Sequence, residues 1–232
     1  MEKQRLVALA DILGFKQTVL HTPVDVVVRE YFEFFRKAIQ HSFELAGWPA
    51  APEDFAQLKA RLGMGMEWFS DTLILYALDD ADAAITNLLR GVTWLVFETM
   101  YFHAVRLRVG IDYGELHVDE NAGQFVGKAI VCAHELERGQ NWVGGALTTA
   151  ACERLPASAR FYTVEYPVPT KPGAPASTTA LNWTQGVHLT FSVPFAPGRA
   201  EPDEHDDARV AEKWRNTRTF HDTVCATHRK KR

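Results

Sequence analysis

The sequence predicts an α+β fold: a ferredoxin-like antiparallel sheet with helices on one face, followed by a C-terminal helical extension. Three observations carry this reading. Apolar residues gather in short strand-like runs near positions 5–12, 64–77 and 105–118. Stretches of helical period lie between and after them, so the order runs strand, helix, two strands, helix, strand, helix, strand. Finally, a Pro-, Asp- and Glu-rich segment at 194–207 precedes a last polar helix. The expected division is a domain over 1–193, a linker over 194–207, and a C-terminal helix with a basic tail over 208–232.

Residues 5–12 form the first strand, an apolar run that ends in a lone carboxylate, Asp11, before a turn at Gly14. Backbone amides after such a turn are free to face an anion, and a carboxylate beside it suits a divalent cation held against phosphates. Thr22-Pro23 opens a helix, with Thr as N-cap, Pro at the first helical position and Asp25 in the first turn. Val27, Tyr31, Phe34 or Phe35, Ala38 and Phe43 recur at helical spacing, and the helix is expected to end near Gly47, before Pro49. Residues 48–63 read as irregular or shortly helical.

Met64 to Ala77 reads as two strands with Ser70-Asp71 at the tight connection, which puts a second lone carboxylate at a hairpin tip. Asp79, Asp80 and Asp82 then begin a long helix that reaches about His103. Val105 to Val118 alternates as a strand, and 119–123 is a turn. A helix follows from Gly127 to Arg138, and a shorter one from Thr148 to Arg154. Phe161–Val168 and Thr178–Trp183 read as late strands around a Pro/Gly loop.

The bulk numbers narrow the function classes. At 47% hydrophobic and 23% charged, the 232 residues have an ordinary soluble globular composition. A net charge of -4 gives no general attraction to nucleic acid or anionic membrane. No apolar run approaches membrane-spanning length, and the N-terminus lacks the pattern of a signal peptide. Cys132, Cys152 and Cys225 are odd in number and form no CxxC pair, so a cytoplasmic setting is expected.

Four stretches, in order, resemble the class III nucleotidyl cyclase catalytic domain over about residues 5–185. Asp11-Ile12-Leu13-Gly14-Phe15 is similar to the family's D-I-x-G-F. Phe69-Ser70-Asp71-Thr72 is similar to its hairpin with the second metal Asp. Arg108-Val109-Gly110-Ile111-Asp112-Tyr113-Gly114 is similar to its R-I-G-I-x-x-G strand. Gly123 to Gly127, with the helix through Leu136-Glu137, is similar to its G-x-x-x-G-x-x-V-N-x-A-x-R-L-E segment. The departures carry information too. Val131 and Glu135 stand where the family has its transition-state Asn and Arg. Glu67 replaces a base-reading Lys and Gln124 a base-reading Asp, so the purine-recognition pair is missing. With Trp68-Phe69-Ser70-Asp71 and the Val168–Trp183 segment, these departures resemble the bacterial Pycsar pyrimidine cyclases.

The resemblance implies a uridylate cyclase, or less favourably a cytidylate cyclase, that makes a second messenger in antiphage defence. A purine cyclase and a degenerate, nucleotide-binding cyclase fold remain the alternatives. It implies two Mg²⁺ or Mn²⁺ ions, about 3.5–4 Å apart, held by Asp11, the Ile12 backbone and Asp71. Asp11 and Asp71 are the catalytic residues on this reading. Gly14, Phe15, Lys16 and Lys171 would bind phosphate, and Glu67 and Trp68 would meet the base. Lys128 or Arg138 would supply the missing transition-state cation. The implied partners are a nucleoside triphosphate, a second copy in a head-to-tail homodimer, and an effector protein activated by the product. Neither nucleic acid nor membrane is among them.

Overall fold

The computed structural model describes residues 3–33, 36–38, 41, 61–102, 105–185 and 208–229. The expected helix end near Gly47, its aromatic positions Phe34, Phe35 and Phe43, most of 48–63, the linker at 194–207 and the last basic residues lie outside these.

Among the described residues the sheet has eight strands. In chain order they are β1 Lys3–Ile12, β2 Met64–Phe69, β3 Thr72–Ala77, β4 Leu107–Asp119, β5 Gln124–Val126, β6 Gly144–Leu147, β7 Thr163–Glu165 and β8 Thr179–Leu181. They lie in the order β2-β3-β1-β4-β6-β8-β7, with β5 paired to β4. All ladders are antiparallel except β4 with β6. The α-helices that lie within the described residues are α1 Phe15–His21, α2 Val24–Val27, α3 Asp82–Phe102, α4 Lys128–Gly139, α5 Thr149–Arg154 and α6 Ala208–Arg229. A π-helical turn, Val28–Phe32, continues α2.

Strand alternation sorts the side chains into two faces. On one, Leu6, Ala8, Ala10 and Ile12 of β1 join Leu73 and Leu75 of β3 and Leu107, Val109 and Ile111 of β4. They pack with Ile85, Leu88, Val92, Val96 and Met100 of α3 in the main core. On the other face, β4 presents Arg108, Gly110 and Asp112 to α4. A Cβ on Gly110 would lie 2.0 Å from the Ala133 carbonyl oxygen. The sequence led us to expect helices on one face; α4 in fact lies on the opposite one. A glycine and small residues at the contact let its backbone rest on β4 and β1.

Two expectations near the N-terminus need correction. Thr22 does not cap a helix: Pro23 holds the N-cap position of α2, and Thr22 ends the unexpected helix α1. That helix buries only Phe15, so it leaves no periodic apolar trace in the sequence.

The last helix, read as polar, buries one face. Trp214, Phe220 and Val224 belong to the main core. Phe220 sits edge-on to Trp142 at 4.9 Å and to Tyr166 at 4.8 Å, with Trp183 at 5.5 Å. Thr217 Oγ1 accepts from the Val143 amide at 2.8 Å, and Asn216 donates to the Asn141 carbonyl at 2.8 Å. Removing the Phe220 ring should therefore cost about 3–5 kcal/mol. Urea unfolding of Phe220→Ala measures this; a loss under about 1 kcal/mol would mean that the helix contributes little to the fold.

Candidate active site

The β1–β3 and β1–β4 registers build the site. Asp11 lies opposite Thr72 on one side and Arg108 on the other. The hairpin tip comes to the same strand end, where the Ile12 amide donates to the Asp71 carbonyl at 3.0 Å. Ser70 takes φ 56°, the left-handed turn conformation that lets β2 reverse into β3 and delivers Asp71 there. The two carboxylates predicted from separate stretches are thus neighbours.

Their electrostatics shows it. Burial pushes the Asp11 carboxyl above its ordinary range, and the nearby negative Asp71 adds to the rise. Arg108, His134 and Lys171 pull the other way, Arg108 the most. Arg108 Nη2 lies 3.4 Å from Asp11 Oδ2, and its Nε–H donates to Glu137 Oε1 on α4. Both Arg108 and Glu137 are buried. Burial raises Glu137 to about 7, against the pull of Arg108. The Asp pair therefore borders a buried Arg–Glu pair, with Lys171 within electrostatic reach of both carboxylates, Asp11 and Glu137.

The other predicted residues divide. Gly14, at φ 91°, turns β1 into α1; it is followed by buried Phe15 and exposed Lys16. Lys171 donates from Nζ to the Arg138 carbonyl at 2.6 Å, at the C-terminal end of α4. Its ammonium is made easier to deprotonate, first by burial and then by Arg108, Lys213 and Arg138. Exposed Arg138 is at this same end, whereas Lys128 is at the other, near Asp112. Glu67 shares the face of Asp11 through its register with Ile74 and, in turn, Leu9. Trp68 does not join it. Trp68 points to the opposite face, packs on Phe32 at 4.6 Å and donates to the Ser70 carbonyl at 2.8 Å. Adjacent strand residues face opposite ways, so the two cannot line one base pocket from this strand. Val131 is 55% exposed and Glu135 is exposed, so the outer face of α4 carries both departures from the family pattern.

Arg108 and Glu137 lie within the motif stretches, and His134 lies between them in sequence, on α4, but no role for these three is legible in the sequence. The available signal was a cation on the face of the strand opposite Leu107, Val109 and Ile111.

The donor set suits a hard cation. Two carboxylates at adjoining strand ends repel each other, and a divalent ion between them would relieve that repulsion. Among the described residues no cluster of three or more His, Cys, Asp or Glu could hold a metal ion. Likewise, no helix among the described residues is long and apolar enough to cross a membrane.

No family model matches the sequence, and no curated protein does. Solved structures do resemble this one. One is the catalytic core of a rhodopsin-guanylyl cyclase with converted specificity, in complex with ATPαS: 11% identity, 77% of this chain and 94% of that chain covered, TM-score 0.54. Another is the non-canonical dimeric guanylyl cyclase domain of the RhoGC fusion protein from the aquatic fungus Blastocladiella emersonii: 12% identity, 78% and 96% covered, TM-score 0.53. The chain has the α+β fold of these cyclase catalytic domains.

Proposed function

We propose that this protein is a pyrimidine nucleotidyl cyclase that converts UTP, or as the less favoured alternative CTP, to the 3′,5′-cyclic nucleotide and pyrophosphate. The observation that carries the reading is the meeting of Asp11 and Asp71 at adjoining strand ends within a cyclase-type fold. In the reaction the ribose 3′-oxygen bonds to the α-phosphorus as the bond to the pyrophosphate oxygen breaks, and the hydroxyl proton passes to solvent.

Asp11 and Asp71, with the Ile12 carbonyl, would hold two Mg²⁺ or Mn²⁺ ions. Two carboxylates suffice because such ions take their remaining ligands from water and substrate phosphates. When bound, the ions activate the hydroxyl and neutralise charge on the phosphoryl oxygens. Backbone amides at the Gly14 turn and the exposed Lys16 would orient the triphosphate.

The pyrimidine assignment rests on Glu67 and Gln124, which stand where the purine-reading pair is expected. Glu67 lies on the face of Asp11, where its carboxylate could accept from uracil N3–H or cytosine N4–H₂. The exposed outer face of α4, with Lys128, Val131, Glu135 and Arg138, supports a homodimer in which this face meets the partner's site. A role in antiphage signalling through a product-activated effector rests on the sequence resemblance.

Incubating the protein with each of ATP, GTP, CTP and UTP and Mn²⁺ tests the proposal. Cyclic UMP is the expected product, and cyclic CMP in its place would make CTP the substrate. Turnover fastest with ATP or GTP would make it a purine cyclase. Tight binding without product would favour a degenerate cyclase, the reading that the exposed Val131 and Glu135 support, since neither supplies an amide or a guanidinium.

A further inference from the structure

The chain Asp11–Arg108–Glu137 is built like a brace. Arg108 is 7% exposed and Glu137 2%, so the guanidinium has little water to satisfy it. Its Nε–H is taken up by Glu137, a residue fixed on α4, and its Nη2 reaches Oδ2 of Asp11. Among the described residues no hydrogen bond to Asp11 Oδ1 is made. The guanidinium is planar and rigid, so a group held at Nε has its Nη atoms fixed as well. Asp11, by contrast, is a partly exposed side chain at a strand end, free to rotate unless something holds it. The closeness of α4 to β4 over Gly110 sets the height of Glu137 above the sheet, and so the position of the brace.

We propose that Arg108, anchored by Glu137, is a positioning residue: it holds one oxygen of the Asp11 carboxylate and leaves the other aimed, with Asp71, at a divalent cation. The inference rests on the cation-binding reading of Asp11 and Asp71 above. Groups that orient a metal-binding side chain typically matter about 10–100-fold in metal affinity or activity. Arg108 also offsets the charge of Glu137, so the pair adds little net charge beside the two aspartates.

Four variants separate this role from simple fold stabilisation. Arg108→Lys keeps the charge but loses the fork. Glu137→Gln keeps an acceptor oxygen for Nε–H. The double variant Arg108→Met with Glu137→Met removes the buried pair together, leaving no orphan charge, and well-packed apolar replacements of buried pairs commonly retain stability. Asp11→Asn removes the carboxylate itself. Mn²⁺ binding to each protein alone is followed by the loss of the free-ion electron paramagnetic resonance signal, alongside thermal melting and turnover.

The expected result is Mn²⁺ affinity weakened about tenfold in Arg108→Lys and in the double variant, with melting close to wild type. Turnover should fall in parallel and recover partly at high Mn²⁺, and Glu137→Gln, which keeps the Nε–H acceptor but leaves the Arg108 charge uncompensated, should weaken Mn²⁺ binding less than Arg108→Lys does. If the double variant is folded, binds Mn²⁺ as wild type does and turns over normally, the pair is a structural element and the proposal is overturned. If Asp11→Asn also binds Mn²⁺ as wild type does, the cation-binding reading itself fails and takes the brace with it. Should Arg108→Lys fail to fold, the double variant alone decides.

Discussion

Asp71→Ala should lose at least about a thousandfold in turnover while remaining folded. Removing one charge-stabilising group from a preorganised site lowers rates on the order of 10²–10³. Here the lost carboxylate is also half of a two-residue cation site, so the upper end applies. The fold should tolerate the change because Asp71 is structurally engaged through its backbone: its carbonyl accepts from the Ile12 amide, and the flanking Phe69–Thr72 pair closes the hairpin. The side chain is partly exposed, so truncation leaves no cavity in the core. Asp11 should in turn ionise more easily, since a like charge beside it has gone. Cyclic-nucleotide formation and thermal melting on the same preparation check this. Activity within tenfold of wild type, in a folded variant, would remove Asp71 from the reaction and with it the two-carboxylate site.

Gly110→Ala should destabilise the protein by about 3 kcal/mol or more. The added Cβ would lie 2.0 Å from the Ala133 carbonyl oxygen and 2.7 Å from the Glu137 amide nitrogen. Both are backbone atoms of α4, so no side chain can swing away, and the helix must lift from β4. Lifting it also draws Glu137 from Arg108, so activity should fall further than stability alone explains. Gly114→Ala is the matched comparison on the same strand face. Its Cβ would meet nothing nearer than 3.6 Å, an ordinary contact, so its cost should stay under about 1 kcal/mol. Urea denaturation of the two variants measures the difference. Equal stabilities would mean that α4 is not clamped on the strand at Gly110.

Much of the fold was legible because its signals are local. The hairpin Met64–Ala77 shows strand alternation on both sides of Ser70-Asp71, and its bounds follow. The start of α3 shows in Asp79, whose carboxylate accepts from the Ala81 amide at 3.0 Å. Helix α1 was not legible: seven residues with one buried side chain carry no period. The burial on the last helix was hidden for a related reason. Its apolar residues are few, and their partners Trp142, Tyr166 and Trp183 come from distant loops. Placing Glu67 and Trp68 together was avoidable, because strand parity alone sets neighbours on opposite faces.

The sequence by itself determined that Asp11 ends the first strand and that Asp71 stands at the tip of the hairpin Met64–Ala77. Local signals carry that information: an apolar run that stops at a carboxylate, and a turn between two strand-like runs. Only the tertiary structure decided what stands beside them. Arg108 reaches Asp11 across 97 residues of chain and Glu137 across 29. These meetings depend on the register of β1 against β4 and on the close seat of α4 over Gly110. A register is a property of two strands together, fixed by which apolar faces must be buried at once, and no single stretch of sequence encodes it.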